Sequence, residues 1–338
     1  MNMYIYIYIY IYMSIGFWGN QLCERGTTVS LYDYACYNET ILGNKSYIFY
    51  DKNDQRTNNN VLEKFKTRFK DRVFSVDHPC IIGNGYFPKQ LEDLFLKYNI
   101  SHVYIIKAGE KDNRLSKVAK NCIHCVFNAT EPHGEIYSSI APWVNGNNGK
   151  YPVVPHMINL PKHDRNMRSK LNIPEKAIVF GGYGGKDCFS LNFVQKVVYN
   201  IAKSYPNIYF LFANFNKFCP NLTNIIHLST IINLNEKVEF INTCDAMLWA
   251  RRGGETFGIA IGEFSTLNKP VIATKHCGGD LCHVPLLGDK AIWYSNEKNL
   301  TEILLNFDPV VESKKDWNAY KEYTPEKVIK IFDTVYLK

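Results

Sequence analysis

No hydrophobic run in this 338-residue chain is long enough for a membrane span: the longest apolar-aromatic tract is about ten residues at the N-terminus. That opening has no basic n-region and no small-residue cleavage site, so it does not read as a signal peptide. A basic stripe interleaved with aromatics is also missing. The 39 Lys and Arg against 32 Asp and Glu give a net charge of +7, scattered through helical faces, which argues against a nucleic-acid groove and suits a polyanionic small ligand. Nor do cysteines frame the loops. The ten, at 23, 36, 80, 122, 125, 188, 219, 244, 277 and 282, fall mostly inside predicted strands and helices, which points to a reduced, cytoplasmic setting. Cys122-Ile-His-Cys125 has zinc-knuckle spacing, but on a strand residues 122 and 125 turn to opposite faces.

What is present is an ordinary globular composition, 46% hydrophobic and 21% charged. It follows a Tyr-Ile repeat over residues 1–12 that reads as a translated dinucleotide tract ahead of a start at Met13, an extension outside the fold. The length suits two domains of about 150 residues each. From Met13 the chain alternates strand and helix, the mark of α/β organisation. Strands are predicted at Ser14–Trp18, Tyr47–Tyr50, Val73–Val76, Val103–Ile106 and Ile123–Phe127, with Tyr151–His156 as the last of the first half. A helix carrying Leu31, Tyr32, Ala35 and Cys36 on one stripe ends near Gly43, and the Asn-rich run Asp51–Asn60 is a loop. The second half restarts with a strand at Ala177–Gly181, a helix at Phe189–Ser204, and strands at Ile208–Ala213, Ile225–Leu228, Asp245–Trp249, Pro270–Thr274 and Ala291–Tyr294. The expected division is 13–163, 164–315 and a terminal segment 316–338, whose helix is capped at Thr324-Pro325.

The most informative segment is Ala250-Arg-Arg-Gly-Gly-Glu-Thr-Phe-Gly-Ile-Ala-Ile-Gly-Glu263. It reads as a strand end, a glycine turn and a helix start, with Phe257, Ala260, Ile261 and Phe264 at helical spacing. A helix N-terminus beside Arg251 and Arg252 attracts phosphate. Two glutamates eight helical residues apart would stand about 12 Å apart along the axis, too far along one helix to act as an acid/base pair on one bond. An elongated ligand with hydroxyls at both ends and phosphate between them fits that spacing, and a nucleotide sugar has this shape.

Glu255-x-Phe257-Gly258, Glu263 and the following Asn268-Lys-Pro-Val-Ile-Ala273 resemble the E-x7-E segment of retaining GT-B glycosyltransferases of the group 1, family 4-like kind. The overall pattern and A/T-tolerant composition are similar to such enzymes of large DNA viruses. The resemblance implies two Rossmann-like domains facing across a cleft: the first on the acceptor side, the second binding the nucleotide sugar, and the last helix crossing back. It implies that Glu255 lies near the donor sugar and Glu263 at the ribose, while Thr256, Phe257 and Gly258 approach the phosphates. By position, Arg25, Gly26 and Thr27 correspond to the first-domain phosphate or acceptor loop, and His133 to a histidine beside the donor sugar that joins Glu255 in catalysis. Gly181-Gly-Tyr-Gly-Gly-Lys186 resembles the glycine turn of the second domain, in which Gly181 and Lys186 would meet the diphosphate. There the chain departs from the pattern, since Gly182 stands where an arginine is expected. Arg251 or Arg252 would then supply the missing charge.

No Asp-x-Asp occurs, so no metal and no cofactor is required, and the nucleotide sugar is a substrate. The implied activity is metal-independent, retaining sugar transfer in glycan biosynthesis, to a glycan, lipid or protein acceptor, with peripheral membrane contact allowed. Two alternatives stay open: a sugar-nucleotide epimerase or hydrolase of the same fold, and an inactive glycosyltransferase-like binding protein.

Overall fold

The computed structural model describes residues 12–77 and 86–338. The Tyr-Ile tract, apart from Tyr12, and Cys80 lie outside the described residues, and with them the reading of the tract as an extension. In chain order the first half runs β1 (Ser14–Gly19), α1 (Gly26–Thr40), β2 (Lys45–Asp51), α2 (Asn59–Phe69), β3 (Val73–Val76), α3 (Lys89–Lys97), β4 (Ile100–Lys107), β5 (Lys120–Cys125) and β6 (Ile136–Ser139). The second runs β7 (Ile178–Tyr183), α4 (Asn192–Ser204), β8 (Ile208–Ala213), β9 (Ile225–Leu228), α5 (Leu234–Thr243), β10 (Ala246–Leu248), β11 (Gly254–Glu255), α6 (Ile259–Thr266), β12 (Val271–Thr274), β13 (Asp280–Leu281), α7 (His283–Leu287), β14 (Ile292–Tyr294), α8 (Glu297–Leu305), α9 (Pro309–Glu312) and α10 (Pro325–Phe332).

Two six-stranded sheets result, ordered β3-β2-β1-β4-β5-β6 and β14-β12-β10-β7-β8-β9, with parallel pairing throughout. Each half therefore has the same order, with its first strand beside its fourth. Strand progression reverses between β1 and β4, and again between β7 and β10. Helices cover both faces, so the central strands are apolar without alternation: Ile15 to Trp18 and Val179 to Phe180 are all buried. Gly43, at φ +74, closes α1 by donating its N–H to the Glu39 carbonyl. Asn58, inside the predicted Asn-rich loop, caps α2 by accepting from the Asn60 and Val61 amides.

One predicted strand is displaced. The sixth place in the first sheet belongs to Ile136–Ser139, and the Tyr151–His156 segment adds only an isolated bridge from Val153 to Ser139. Pro152 and Pro155 lack the N–H groups that a full ladder needs. β5 holds Cys122 and Cys125 on opposite faces, in separate core clusters.

The two halves share a seam of aromatic side chains. Phe257, 2% exposed, sits edge-on to His156, Tyr320 and Tyr323, while the Tyr34 hydroxyl on α1 donates to the Pro155 carbonyl at 2.6 Å. Helix α10 returns to the first half, where Phe332 stacks on Tyr34 and Phe17. Among the described residues no helix is long and apolar enough to cross a membrane.

His124 and His156 lie buried in this seam with ring centroids 5.6 Å apart. Burial pushes the His124 imidazole down to about 3 and His156 well below its ordinary range. Both rings stay neutral in the fold but charge freely in the unfolded chain below about pH 6.5. Their contribution is therefore complete above that pH and is lost as pH falls from about 6.5 towards 3. Urea midpoints measured from pH 7.5 to 4.5 should fall less steeply for His156→Gln than for the parent, and parallel curves would contradict this.

Candidate functional site

In an open α/β sheet, ligands bind beyond the carboxyl ends of the strands, where strand order reverses. In the second half that point lies between Tyr183 at the end of β7 and the segment following Leu248 in β10. The residues there form a backbone zipper. The amides of Gly278, Asp280 and Cys282 donate to the carbonyls of Arg252, Gly253 and Glu255 at 2.9, 3.1 and 3.0 Å. The strands come so close that a Cβ on Gly254, already at φ +66, would fall 1.8 Å from the Asp280 carbonyl oxygen. Only glycine fits.

This arrangement corrects the helical reading of the motif. Glu255 belongs to the short strand β11, and α6 begins at Ile259. The left-handed Gly258 (φ +79) breaks the chain between them. The axial separation expected for eight helical residues therefore does not apply. The α6 N-terminus, which has no side-chain cap, presents its first amides at Gly258 and Ile259.

Glu255 is held by two donors. Its Oε1 accepts from Trp249 Nε1 at 3.3 Å and its Oε2 from the Arg251 guanidinium at 3.0 Å. Burial raises its pKa, and Arg251 pulls it back. Trp249 in turn stacks on buried His283, with centroids 4.4 Å apart, and His283 Nε2 bonds to the Thr274 carbonyl at 3.1 Å. Arg252 is exposed, with its amide on Ser190 Oγ. Phe257 turns its side chain into the interdomain seam, so only its backbone can face a ligand. Thr256 is half-buried.

Glu263 lies deeper, 3% exposed, with both oxygens engaged: Tyr183 donates to one and Lys237 Nζ lies 2.8 Å from the other. A ribose hydroxyl reaching it must share lone pairs with these donors or displace one of them. Asp33 on α1 and Lys64 on α2 complete a charge cluster across the halves. Burial raises the Asp33 carboxyl to about 7, against the opposing pull of Lys64 and Lys237, and Glu263 adds to the rise. Neither Lys237 nor Asp33 has a motif around it, so sequence reasoning missed both. Tyr183 lay unremarked inside Gly181–Lys186.

Gly181 sits inside β7, where a Cβ would be 2.3 Å from Cys244 Sγ, so its first task is packing. Gly182, the departure from the expected arginine, is also in the strand, against the Leu248 carbonyl and the Phe215 ring. Lys186 follows in the exposed loop. Cations arrive from elsewhere: Arg251 and Arg25, one from each half, both act on the Cys188 thiol, which burial raises and they lower. Arg25 precedes α1, and a Cβ on the next residue, Gly26, would lie 3.2 Å from Ile259 Cδ1. The start of α1 thus approaches the Ile259 side chain at the start of α6, and Arg25, Arg251 and Glu255 all lie within electrostatic reach of Cys188.

His133 lies in the first half, between β5 and β6. It is 6% exposed, with Nδ1 at 2.7 Å from the Glu131 carbonyl and Nε2 buried without a partner. Burial lowers its pKa, and its charged neighbours are Lys107, Asp112 and Lys111. Thr27 lines a separate pocket at the first switch point, between the ends of β1 and β4.

Two parallel sheets of matching order, switch points at the cleft and a terminal helix that crosses back define the GT-B fold. No family model and no curated relative matches the chain. Among solved structures it is similar to a glycosyltransferase from Rickettsia africae ESF-5 (TM-score 0.67, 13% identity, covering 96% of this chain and 99% of that one). It is similar to Anabaena Alr3699/HepE in complex with UDP-glucose (0.69, 12%, 96% and 99%). A putative UDP-N-acetylglucosamine 2-epimerase from Listeria monocytogenes is also similar (0.60, 12%, 96% of each). At these identities the likeness is one of fold.

The buried pair Lys237–Glu263 is expected to be costly to break from one side. Lys237→Ala should destabilise the protein by about 3–5 kcal/mol, because it leaves the buried Glu263 carboxylate without its cation. The double variant Lys237→Met, Glu263→Met should recover most of that loss in urea unfolding. A single-variant loss under about 1 kcal/mol would show that the pair is solvated.

Proposed function

We propose that the chain is a glycosyltransferase that moves a sugar from a nucleotide sugar to an acceptor bound in the cleft, without a metal and with retention at the anomeric carbon. The observation that carries this reading is the approach of the α1 start to the α6 start beside Arg25, Arg251 and half-buried Glu255. Such a group suits a diphosphate: helix-terminal amides and guanidinium groups from both halves face the charge that develops on the leaving group. Lys186 and Arg252 lie on exposed loops that the bond from the Arg252 amide to Ser190 Oγ ties together. Glu255, oriented by Trp249 and Arg251, is the carboxylate assigned to the donor sugar, and Glu263 the one assigned to the ribose. Retention follows the E-x7-E resemblance. A uridine diphosphate sugar is the first donor to try, because the similar Anabaena structure is a complex with UDP-glucose.

Two other readings have specific support. The likeness to the Listeria protein supports a sugar-nucleotide epimerase, which changes the donor without an acceptor. Gly182, in place of the expected arginine, supports a binding protein without turnover.

A thermal-shift screen of nucleotides and nucleotide sugars, with and without magnesium, separates them. A nucleoside diphosphate at a hundred times its Kd should stabilise the chain by about 2.7 kcal/mol, independently of magnesium. Arg25→Ala should weaken that binding about 10-fold, the loss of one charge-assisted contact. Glu255→Gln should bind the nucleotide yet lose turnover about 100-fold or more. No shift with any nucleotide contradicts the donor site, and conversion of a nucleotide sugar to its epimer without acceptor selects the epimerase.

A further inference from the structure

We infer that the pocket at the first sheet's switch point holds an uncharged sugar ring of the acceptor, stacked on Phe127; the word acceptor rests on the transferase reading above. The pocket lies where β1 and β4 part, and Gly19, Asn20, Gln21, Thr27, Lys107 and Phe127 are among its walls. Its position follows from topology, since the crevice beyond β1 and β4 is where an open sheet receives a ligand.

The lining chemistry selects the occupant. Asn20 and Gln21 supply amides and Thr27 a hydroxyl, each able to donate and to accept, as is every hydroxyl of a sugar. Lys107 is the one charged residue of the lining, and its charge is already matched. Its ammonium donates to the Asp112 carboxylate and to the Arg114 carbonyl, and burial pulls its pKa down. A phosphate entering here would find that cation taken.

Phe127 supplies the apolar face. It is 45% exposed and lies two residues beyond the end of β5. Its backbone is pinned, because the Phe127 and Asn128 amides both donate to the Ala108 carbonyl, at 3.0 and 2.9 Å. The ring is therefore anchored at the rim. A lining that combines an aromatic ring with neutral amides and a hydroxyl matches a pyranose, whose C–H face is apolar and whose edge is polar. Thr27 is two residues from Arg25, so this pocket and the diphosphate site share the N-terminus of α1. An acceptor hydroxyl held here is next to the donor loop.

The test is calorimetric titration of the full chain with maltotriose, chitotriose and N-acetyllactosamine as neutral probes and glucose 6-phosphate as a charged one. Uridine diphosphate is titrated in parallel. At least one neutral probe should bind with millimolar or tighter Kd and more tightly than glucose 6-phosphate. Phe127→Ala should weaken it about 3- to 10-fold and Phe127→Tyr should preserve it, with binding of uridine diphosphate the same in all three proteins. Failure of every neutral probe, preference for the phosphorylated sugar, or unchanged affinity in Phe127→Ala would overturn the inference. A chain that binds a neutral probe through Phe127 but no nucleotide keeps the sugar pocket and sinks the transferase reading. One that binds uridine diphosphate but none of the neutral probes does the reverse.

Discussion

The close approach of two helix N-termini across the cleft is the constraint on which the candidate site depends. A Cβ on Gly26 at the start of α1 would lie 3.2 Å from the side-chain tip of Ile259 at the start of α6. Two dipole ends of like sign repel, so their juxtaposition needs support from elsewhere. The aromatic seam of Phe257, His156, Tyr34, Tyr320 and Tyr323 supplies it by burying large rings on both sides of the interface.

Two rigid features aim the carboxylates around that point. The zipper of residues 252–255 against 278–282 fixes Glu255 through backbone contacts, while Trp249, stacked on His283, fixes its side chain. Glu263 is held by Tyr183 and Lys237 in a cluster that includes Asp33 and Lys64 from the other half. The first glutamate is therefore oriented within one domain. The second is tied into the contact between the two, so its environment depends on how the halves sit together.

Much of this was legible in the sequence, and the reasons differ by element. The alternation of apolar strands with amphipathic helices set the α/β class, because fully buried parallel strands read as continuous apolar runs. Glycines 253 and 254 marked the turn ahead of Glu255, and Gly254 takes a positive φ that few other residues tolerate. Periodicity could not show that Gly258 ends the strand segment and delays α6 to Ile259, because Phe257 keeps helical spacing by accident while packing into the seam. The segment 151–156 looked like a strand from its valines, and its two prolines reduced it to a bridge. Lys237 and Asp33 carried no sequence signal, because their roles arise from contacts between residues far apart in the chain.

The most direct measurement is a crystal structure of the chain with uridine diphosphate. The account predicts the diphosphate between the N-termini of α1 and α6, within hydrogen-bond distance of the Arg25 guanidinium and of the backbone amides at Gly258 and Ile259. An ordered nucleotide lying elsewhere in the cleft, with Arg25 and the α6 N-terminus untouched, would contradict it.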